Sequence, residues 1–369
     1  MATPVHEHTK ETKMLSYEVT EHGRPLQARL RETPVPKGRE VVLRVTHSGL
    51  CHTDLHLWHG YFDLGGGRRA PLSERGLVPP LTLGHEPLGI VEAVGDAVTG
   101  VAPGARCLAF PWIACGACWA CDKGRTELCA RQRNLGIGLP GGFATHLVVP
   151  DARYLVNVDG IDDAFAATLA CSGVTSYAAV SKLPTLEADD HVAVIGCGGV
   201  GLTAISILRA RGIERIIACD VSEEKLEAAR SLGATQALRT DSAEAAQALM
   251  ELAGNMLGGA LDFVGIPSTL DLAYTALRKG GTYVLCGLHG GQATIPIPPI
   301  AQRSLSIVGS FVGSIADLEA TVELAKAGKL ARLPIQTCDA SEINTALSAL
   351  DAGRVIGRTV IDFTNAEAA

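Results

Sequence analysis

Cysteines 115, 118, 121 and 129 crowd into the stretch CGACWACDKGRTELC, while the chain's other thiols are spread singly. With cysteine at about three per cent of residues, three further cysteines at set positions after the first arise by chance on the order of 10⁻⁵. Four thiolates close a tetrahedral site, and Zn²⁺, which has no redox chemistry, suits it. An Fe–S cluster is the competing occupant, but its usual spacings differ and nothing else in the sequence suggests electron transfer. Four thiolates overload the ion with negative charge and leave no position open, so this site is expected to be structural. Lys123, Arg125 and Arg131 are at hand to offset the excess charge.

A second set is dispersed: Cys51 in GLCHTDLH, His85 and Glu86 in LGHEPLG, and Cys171 in LACSGVTSY. Two thiolates and a neutral imidazole balance Zn²⁺ and leave a fourth position for a substrate oxygen or water, which is the composition of a catalytic site. Sequence distance alone does not unite them. Taken singly, each reads as a buried cysteine or a core histidine.

A third feature is the turn Gly196-Cys197-Gly198-Gly199-Val200-Gly201. The spacing alone is weak in a chain with 41 glycines. Here an apolar strand precedes it, the helical run LTAISILRARG follows, and a second strand ends in Asp220, the order of a dinucleotide fingerprint. Gly196 makes the tight turn, Gly198 admits a pyrophosphate to the backbone, and Gly201 allows close helix packing, with the helix N-terminus facing the phosphates. Asp220 can accept hydrogen bonds from both ribose hydroxyls and would repel a 2′-phosphate. NAD is therefore expected over NADP.

These residues need two kinds of scaffold. EVVLRVTHSG, LGIVEAVG, ARCLAF and FATHLVVP are short, Val/Leu-rich and bounded by Gly or Pro, as in an irregular, mostly antiparallel β-domain. After about Cys171, the apolar runs HVAVIG, RIIACD, LDFVG, TYVLCG and SIVGSF alternate with helical segments such as SEEKLEAARSLG and STLDLAYTALRKGG. Each of these has Ser at the expected N-cap and Gly past its end. That alternation predicts a doubly wound α/β parallel sheet. The closing RVIGRTVIDF reads as a return to the first domain. The expected division is 1–172, completed by 315–369, for the zinc-binding domain, and 173–314 for the Rossmann domain.

With 369 residues the chain can hold two domains and a large core. Its net charge of −7, without a long basic run, argues against nucleic acid and anionic membrane as partners. The N-terminus, MATPVHEHTKETK, has no apolar export segment, and no window approaches the roughly 20 apolar residues of a membrane span. A cytoplasmic setting is expected, in which clustered cysteines bind metal rather than pair.

From about Pro36 to Phe363 the chain resembles the zinc-dependent medium-chain alcohol dehydrogenases. G-x-C-H-T-D-x-H, G-H-E, the four-cysteine loop, Cys-x-G-V-T and G-x-G-G-V-G occur in that family's order. The resemblance implies a GroES-like catalytic domain beside the Rossmann domain, and two zinc ions per chain. Cys51, His85 and Cys171 would ligate the catalytic zinc, with Glu86 behind it and Asp54 orienting the histidine. The four loop cysteines would hold the structural zinc. The resemblance also implies oxidation of an alcohol, with hydride passing to NAD and the proton leaving through Thr53 and His56, an imidazole taken to titrate near pH 6.5. His52 and Arg358 match the family's pyrophosphate contacts, Lys225 its adenosine-ribose contact, and Thr175 the residue behind the nicotinamide. His52 stands where other members carry Arg, which is expected to loosen the coenzyme.

Between Trp58 and G-H-E the chain is longer than many members by roughly ten residues, a stretch expected to rim the cleft either as a flexible insertion or as a specificity device. Arg68 and Arg69 in it would meet an acidic substrate or only solvent. Trp58, Phe62, Trp112 and Leu288 are expected as apolar walls, with Leu288 also beside the coenzyme. They favour medium-chain or aromatic primary alcohols. A polyol or hydroxy-acid dehydrogenase and a non-catalytic coenzyme-binding protein are the alternatives. A homo-oligomer, dimer or tetramer, is expected from the apolar sheet edge near SIVGSF.

Overall fold

A computed structural model of the chain describes residues 13–366; residues 1–12 and 367–369, and with them nearly all of the polar N-terminal stretch, lie outside the described residues. The fold is α/β. A mostly antiparallel sheet is centred on the strand Val41–Leu50, which is buried along its length except at Arg44. It pairs antiparallel with Pro87–Val94, His146–Val149 and Arg358–Asp362. Arg358–Asp362 in turn pairs with Ile335–Asp339. The C-terminal segment thus crosses back into the sheet of the first half.

The second sheet has six strands, all parallel, in the order Gln236–Arg239, Ile216–Asp220, His191–Ile195, Leu257–Asp262, Leu277–Leu285, Ser306–Gly309. Its central strands are almost continuously buried because helices cover both faces. Chain order reverses at His191–Ile195, so the crevice between it and Leu257–Asp262 opens at the strands' C-terminal ends, where such sheets bind ligands.

Three local expectations need correction. The strand expected at LDFVG ends at Asp262 and begins at Leu257, because Gly258 and Gly259 interrupt the apolar run; the pairing continues across them with a register shift at Gly258. Gln236–Arg239 is a further strand, too short and too exposed to stand out as an apolar run. The helix expected to start at Ser268 is Pro267–Ala276, with Ile266 at its cap and Thr269 Oγ1 accepting the Ile266 amide at 3.1 Å. It runs directly into a strand, so the glycines of RKGG do not cap it.

One buried apolar cluster runs from Val41 and Leu43 through Leu169 and Val174 to Val192 and Leu202, so the two sheets share a core through the segment that carries Cys171. Among the described residues no helix is long and apolar enough to cross a membrane.

Candidate active site and metal centres

Three backbone elements deliver the dispersed ligands to one point. Cys51 ends the strand Val41–Leu50 and caps the helix His52–His59. His85 and Glu86 immediately precede the neighbouring strand Pro87–Val94. Cys171 sits on a π-helical turn, Leu169–Gly173, between the helices Asp163–Thr168 and Val174–Val180. Such turns recur at functional sites because the extra residue redirects a side chain. Donor atoms of Cys51, His85, Glu86 and Cys171 all lie within 4.8 Å of one another, and all four residues are buried.

The donor set fits zinc. Cys51 Sγ and Cys171 Sγ are 3.9 Å apart, and two sulfurs each about 2.3 Å from a tetrahedral zinc stand about 3.8 Å apart. His85 Nε2 is buried and has no hydrogen-bond partner. Its Nδ1 lies 3.3 Å from Asp54 Oδ1, and a carboxylate there keeps the proton on Nδ1 and the lone pair on Nε2. Asp54 is itself fixed: its carboxylate accepts the Cys51 amide at 2.9 Å and the Gly84 amide at 3.1 Å. It therefore ties both ligand-bearing segments to the histidine. Glu86 lies behind the cluster, paired with Arg358, and one of its oxygens is unpartnered. Burial pushes its carboxyl up to about 7 against the pull of the guanidinium.

In the cysteine loop the four sulfurs also fall within 4.8 Å of one another. Cys118 and Cys121 sulfurs are 3.6 Å apart, and the Cys115 amide donates to Cys129 Sγ at 3.3 Å. The Ala117 backbone amide, ahead of the neighbouring thiols, holds Cys115 down to about 6. Of the three cations expected to offset the sulfurs, Arg131 does so, donating to Cys115 Sγ at 3.4 Å. Arg125 instead pairs with Glu127.

The coenzyme turn has the geometry its glycines predict. Gly196 holds φ at +87°, and a Cβ on Gly201 would collide with the Gly196 carbonyl. A Cβ on Gly198 would meet nothing within 4 Å, which leaves an open face of backbone where a pyrophosphate can approach. The helix Gly199–Ala210 starts there, and its Val200 carbonyl accepts Ser176 Oγ at 2.8 Å, joining the turn to the helix that carries Thr175. Asp220 ends its strand buried, with one carboxylate oxygen accepting the Cys197 amide at 2.7 Å and the other the Ser222 amide at 3.0 Å. Lys225 lies in the first turn of the next helix, Glu223–Ser231.

The remaining expected residues are placed unevenly. Thr53 and His56 share the helix His52–His59, three positions apart and so on one face. His56 does not keep the ordinary imidazole value: burial, then the charges of His52 and His289, hold it down to about 4. Trp112 is buried beside His85, with ring centroids 5.7 Å apart, as a pocket wall would be. Leu288 is exposed in the loop after Leu277–Leu285, next to His289. Trp58 is engaged elsewhere: its indole N–H donates to the Arg24 carbonyl at 2.6 Å and its ring packs on His59. Phe62 packs on His56, with ring centroids 4.6 Å apart, so its neighbour is an imidazole and not the metal cluster. Arg358 is buried against Gly199, where a Cβ would collide with its Cδ, and its charge is directed to Glu86.

Three residues escaped the sequence reading. Phe311 lies 6.0 Å from Trp112 and is half exposed just past the edge strand Ser306–Gly309. His289 stands 5.4 Å from His52. Gly49 leaves room for Glu86, since a Cβ there would overlap the carboxylate. The one available signal was His289 within G-L-H-G-G, directly after a strand.

Fold and site together define a class: an oxidoreductase scaffold that pairs a dinucleotide turn with a Cys–His–Cys metal cluster. The comparisons agree. Residues 37–160 match the alcohol dehydrogenase GroES-like domain and residues 199–327 the zinc-binding dehydrogenase family. The chain is 34% identical to an NAD-dependent alcohol dehydrogenase of Sulfurisphaera tokodaii, over 94% of this chain and 99% of that one. It is 33% identical to an alcohol dehydrogenase of Geobacillus stearothermophilus over 93% and 98%. The crystal structure of the alcohol dehydrogenase from Aeropyrum pernix superposes with a TM-score of 0.85 at 32% identity, covering 94% of this chain and 99% of that one. The chain belongs to the zinc-binding medium-chain alcohol dehydrogenase family.

Proposed function

We propose that this protein is an NAD-dependent alcohol dehydrogenase that interconverts alcohols with aldehydes or ketones, preferring medium-chain or aromatic primary alcohols. The observation that carries the reading is the buried, unpartnered Nε2 of His85 facing two sulfurs 3.9 Å apart. Cys51, His85 and Cys171 would hold a catalytic zinc, which when bound supplies a Lewis acid for the substrate hydroxyl. NAD, on the Gly196–Gly201 turn, supplies the hydride acceptor, and Asp220 selects it by its charge and ribose contacts.

The chain's own groups do the rest. Asp54 holds the Nδ1 proton of His85 and so keeps Nε2 a donor atom. Thr53 Oγ1 takes the proton from the substrate hydroxyl as its own proton passes on toward the His56 imidazole and solvent. An imidazole that is neutral at pH 7 both accepts and donates, so it can relay without holding charge. Trp112 and Phe311 offer an apolar aromatic wall beside His85. Six of the eleven cysteines gather in the two metal-type clusters, which supports a reducing, cytoplasmic setting. The edge strand Ser306–Gly309, with exposed Ile307 and Phe311 beside it, supports self-association into a dimer or tetramer.

An alcohol panel assayed by NADH absorbance with NAD and with NADP, together with elemental zinc analysis, tests the reading. Turnover with NAD and two zinc ions per chain is expected. No turnover of any alcohol by fully zinc-loaded protein would overturn it.

A further inference from the structure

The segment after Trp58, expected as an insertion, is an ordered hairpin, Tyr61–Gly65 paired with Arg68–Pro71, followed by a 3₁₀ turn, Leu72–Arg75. Both its ends are anchored. Leu72 is buried in the core, and its amide donates to the Gly60 carbonyl at 2.9 Å. At the tip, a Cβ on Gly65 would lie 2.6 Å from the Gly291 carbonyl carbon, and one on Gly290 would strike the Asp63 carbonyl oxygen. Backbone therefore meets backbone between the hairpin and the loop that follows Leu277–Leu285 in the parallel sheet.

Between the two anchors Tyr61 and Phe62 have separate partners, Tyr61 facing His59 at 6.0 Å and Phe62 facing His56. The Arg69 guanidinium lies 4.0 Å over the Tyr61 ring, and that of Arg75 lies 5.7 Å from the Phe62 ring. Phe62 in turn lies 4.6 Å from the His56 imidazole at an interplanar angle of 39°. A ring held at that distance restricts imidazole rotation and displaces water from that side. The loop clasped by the tip also carries His289, which approaches His52 on the helix of His56.

We propose that Phe62 is a positioning residue for His56: the anchored hairpin lays its ring on the imidazole and fixes the orientation in which His56 passes the proton to solvent. This rests on the proton-exit reading above. The groups acting on His56 are His52, His59 and Cys51 from its own segment and His289 from the clasped loop, with Arg75 beyond Phe62. Three of these are imidazoles that oppose a second positive charge, and the Cys51 thiolate favours one. The Phe62 ring adds to the burial that is the largest influence, so its removal should let water reach the imidazole and ease its protonation.

The test follows His56 in zinc-loaded, coenzyme-free enzyme labelled with ¹³C at histidine Cε1, its resonance assigned by loss in His56→Gln. Phe62→Ala is expected to raise its titration midpoint by about one unit or more, while Phe62→Leu, which keeps an apolar cover, shifts it far less. Gly65→Val, which parts the tip from Gly291 and leaves both rings intact, should move it in the same direction and stands in if Phe62→Ala does not fold. In single-turnover hydride transfer, Phe62→Ala should lower the rate constant by about tenfold or more, while the steady-state KM for the alcohol is little changed. An unchanged His56 titration in Phe62→Ala, or a raised KM with kcat and the pH profile intact, would overturn the proposal and return Phe62 to the role of pocket wall. If His56→Gln keeps the wild-type rate and pH profile, the proton-exit reading fails, and the His56 titration in Phe62→Ala still decides what Phe62 positions.

Discussion

Arg358 and Glu86 form a buried ion pair behind the Cys51–His85–Cys171 cluster, joining the last strand of the chain to the segment that supplies the histidine. Arg358 packs on Gly199 at the coenzyme turn, so one side chain spans the distance from the dinucleotide fingerprint to the metal cluster. Removing one member of a buried pair strands the other's charge, at a cost of about 3–5 kcal/mol. Arg358→Met should destabilise the zinc-loaded protein by that order. The double variant Arg358→Met with Glu86→Leu should recover part of the loss. Denaturant unfolding monitored by tryptophan fluorescence gives both values, and equal stability of Arg358→Met and wild type would contradict the pairing.

Asp54 restrains three groups at once: the Cys51 amide, the Gly84 amide and the His85 imidazole. Asp54→Asn can keep one acceptor but loses the charge that holds the imidazole tautomer. Zinc affinity at the three-residue cluster should fall by about 10–100-fold. Competition with a chromophoric chelator measures this, and the second zinc should be retained with unchanged affinity.

Replacing Cys118 with Ser should remove one zinc per chain and leave the other, because the two clusters share no residue. The loop between Cys115 and Cys129 holds only short helical turns of its own, Trp119–Asp122 and Thr126–Leu128. It should become sensitive to trypsin at Lys123 and Arg125. Loss of both metals in Cys118→Ser would show that the clusters are coupled.

Asp190, in the turn before the strand His191–Ile195, pairs with Arg278 of the strand Leu277–Leu285. The hydrogen bond from Arg278 is the main influence holding its carboxyl below the usual range. A depressed folded-state value stabilises above the unfolded value, near 4, and the benefit is lost as pH falls through the lower folded value. Asp190→Asn should therefore cost about 1–3 kcal/mol at pH 7. The gap to wild type should stay level from pH 8 down to about 5 and close below about 4. Unfolding curves across that range check it, and a gap that widened on acidification would refute the assignment.

Much of the fold was legible because its signals are local. Continuous apolar runs such as HVAVIG and RIIACD mark buried parallel strands whatever surrounds them, and Ser222 caps its helix through its own hydroxyl. The signal failed where tertiary pairing overrode it. Gln236–Arg239 is a strand only because Ile216–Asp220 offers a parallel edge, and Pro267–Ala276 starts at Pro267 because Thr269 reaches back to Ile266. At the site, the four-cysteine loop was readable from spacing alone. The lowered value of His56 is not legible in the sequence, because spacing says nothing of how deeply the imidazole is buried or that His289 comes near it.

The amino-acid order alone determined the chemistry available: thiolates and an imidazole suited to zinc, glycines spaced for a pyrophosphate, and an acid placed to choose the coenzyme. These follow from residue type and short-range spacing, which survive in any conformation. Only the tertiary structure decided that Cys51, His85 and Cys171 meet, that Arg358 turns to Glu86, and that Phe62 covers His56 while Trp58 turns to Arg24. Apart from Phe62 and His56, which a helix and the following hairpin bring together six positions apart, those contacts join residues tens to hundreds of positions apart. What brings them together is burial of a shared core and antiparallel pairing across Val41–Leu50, which no local pattern encodes.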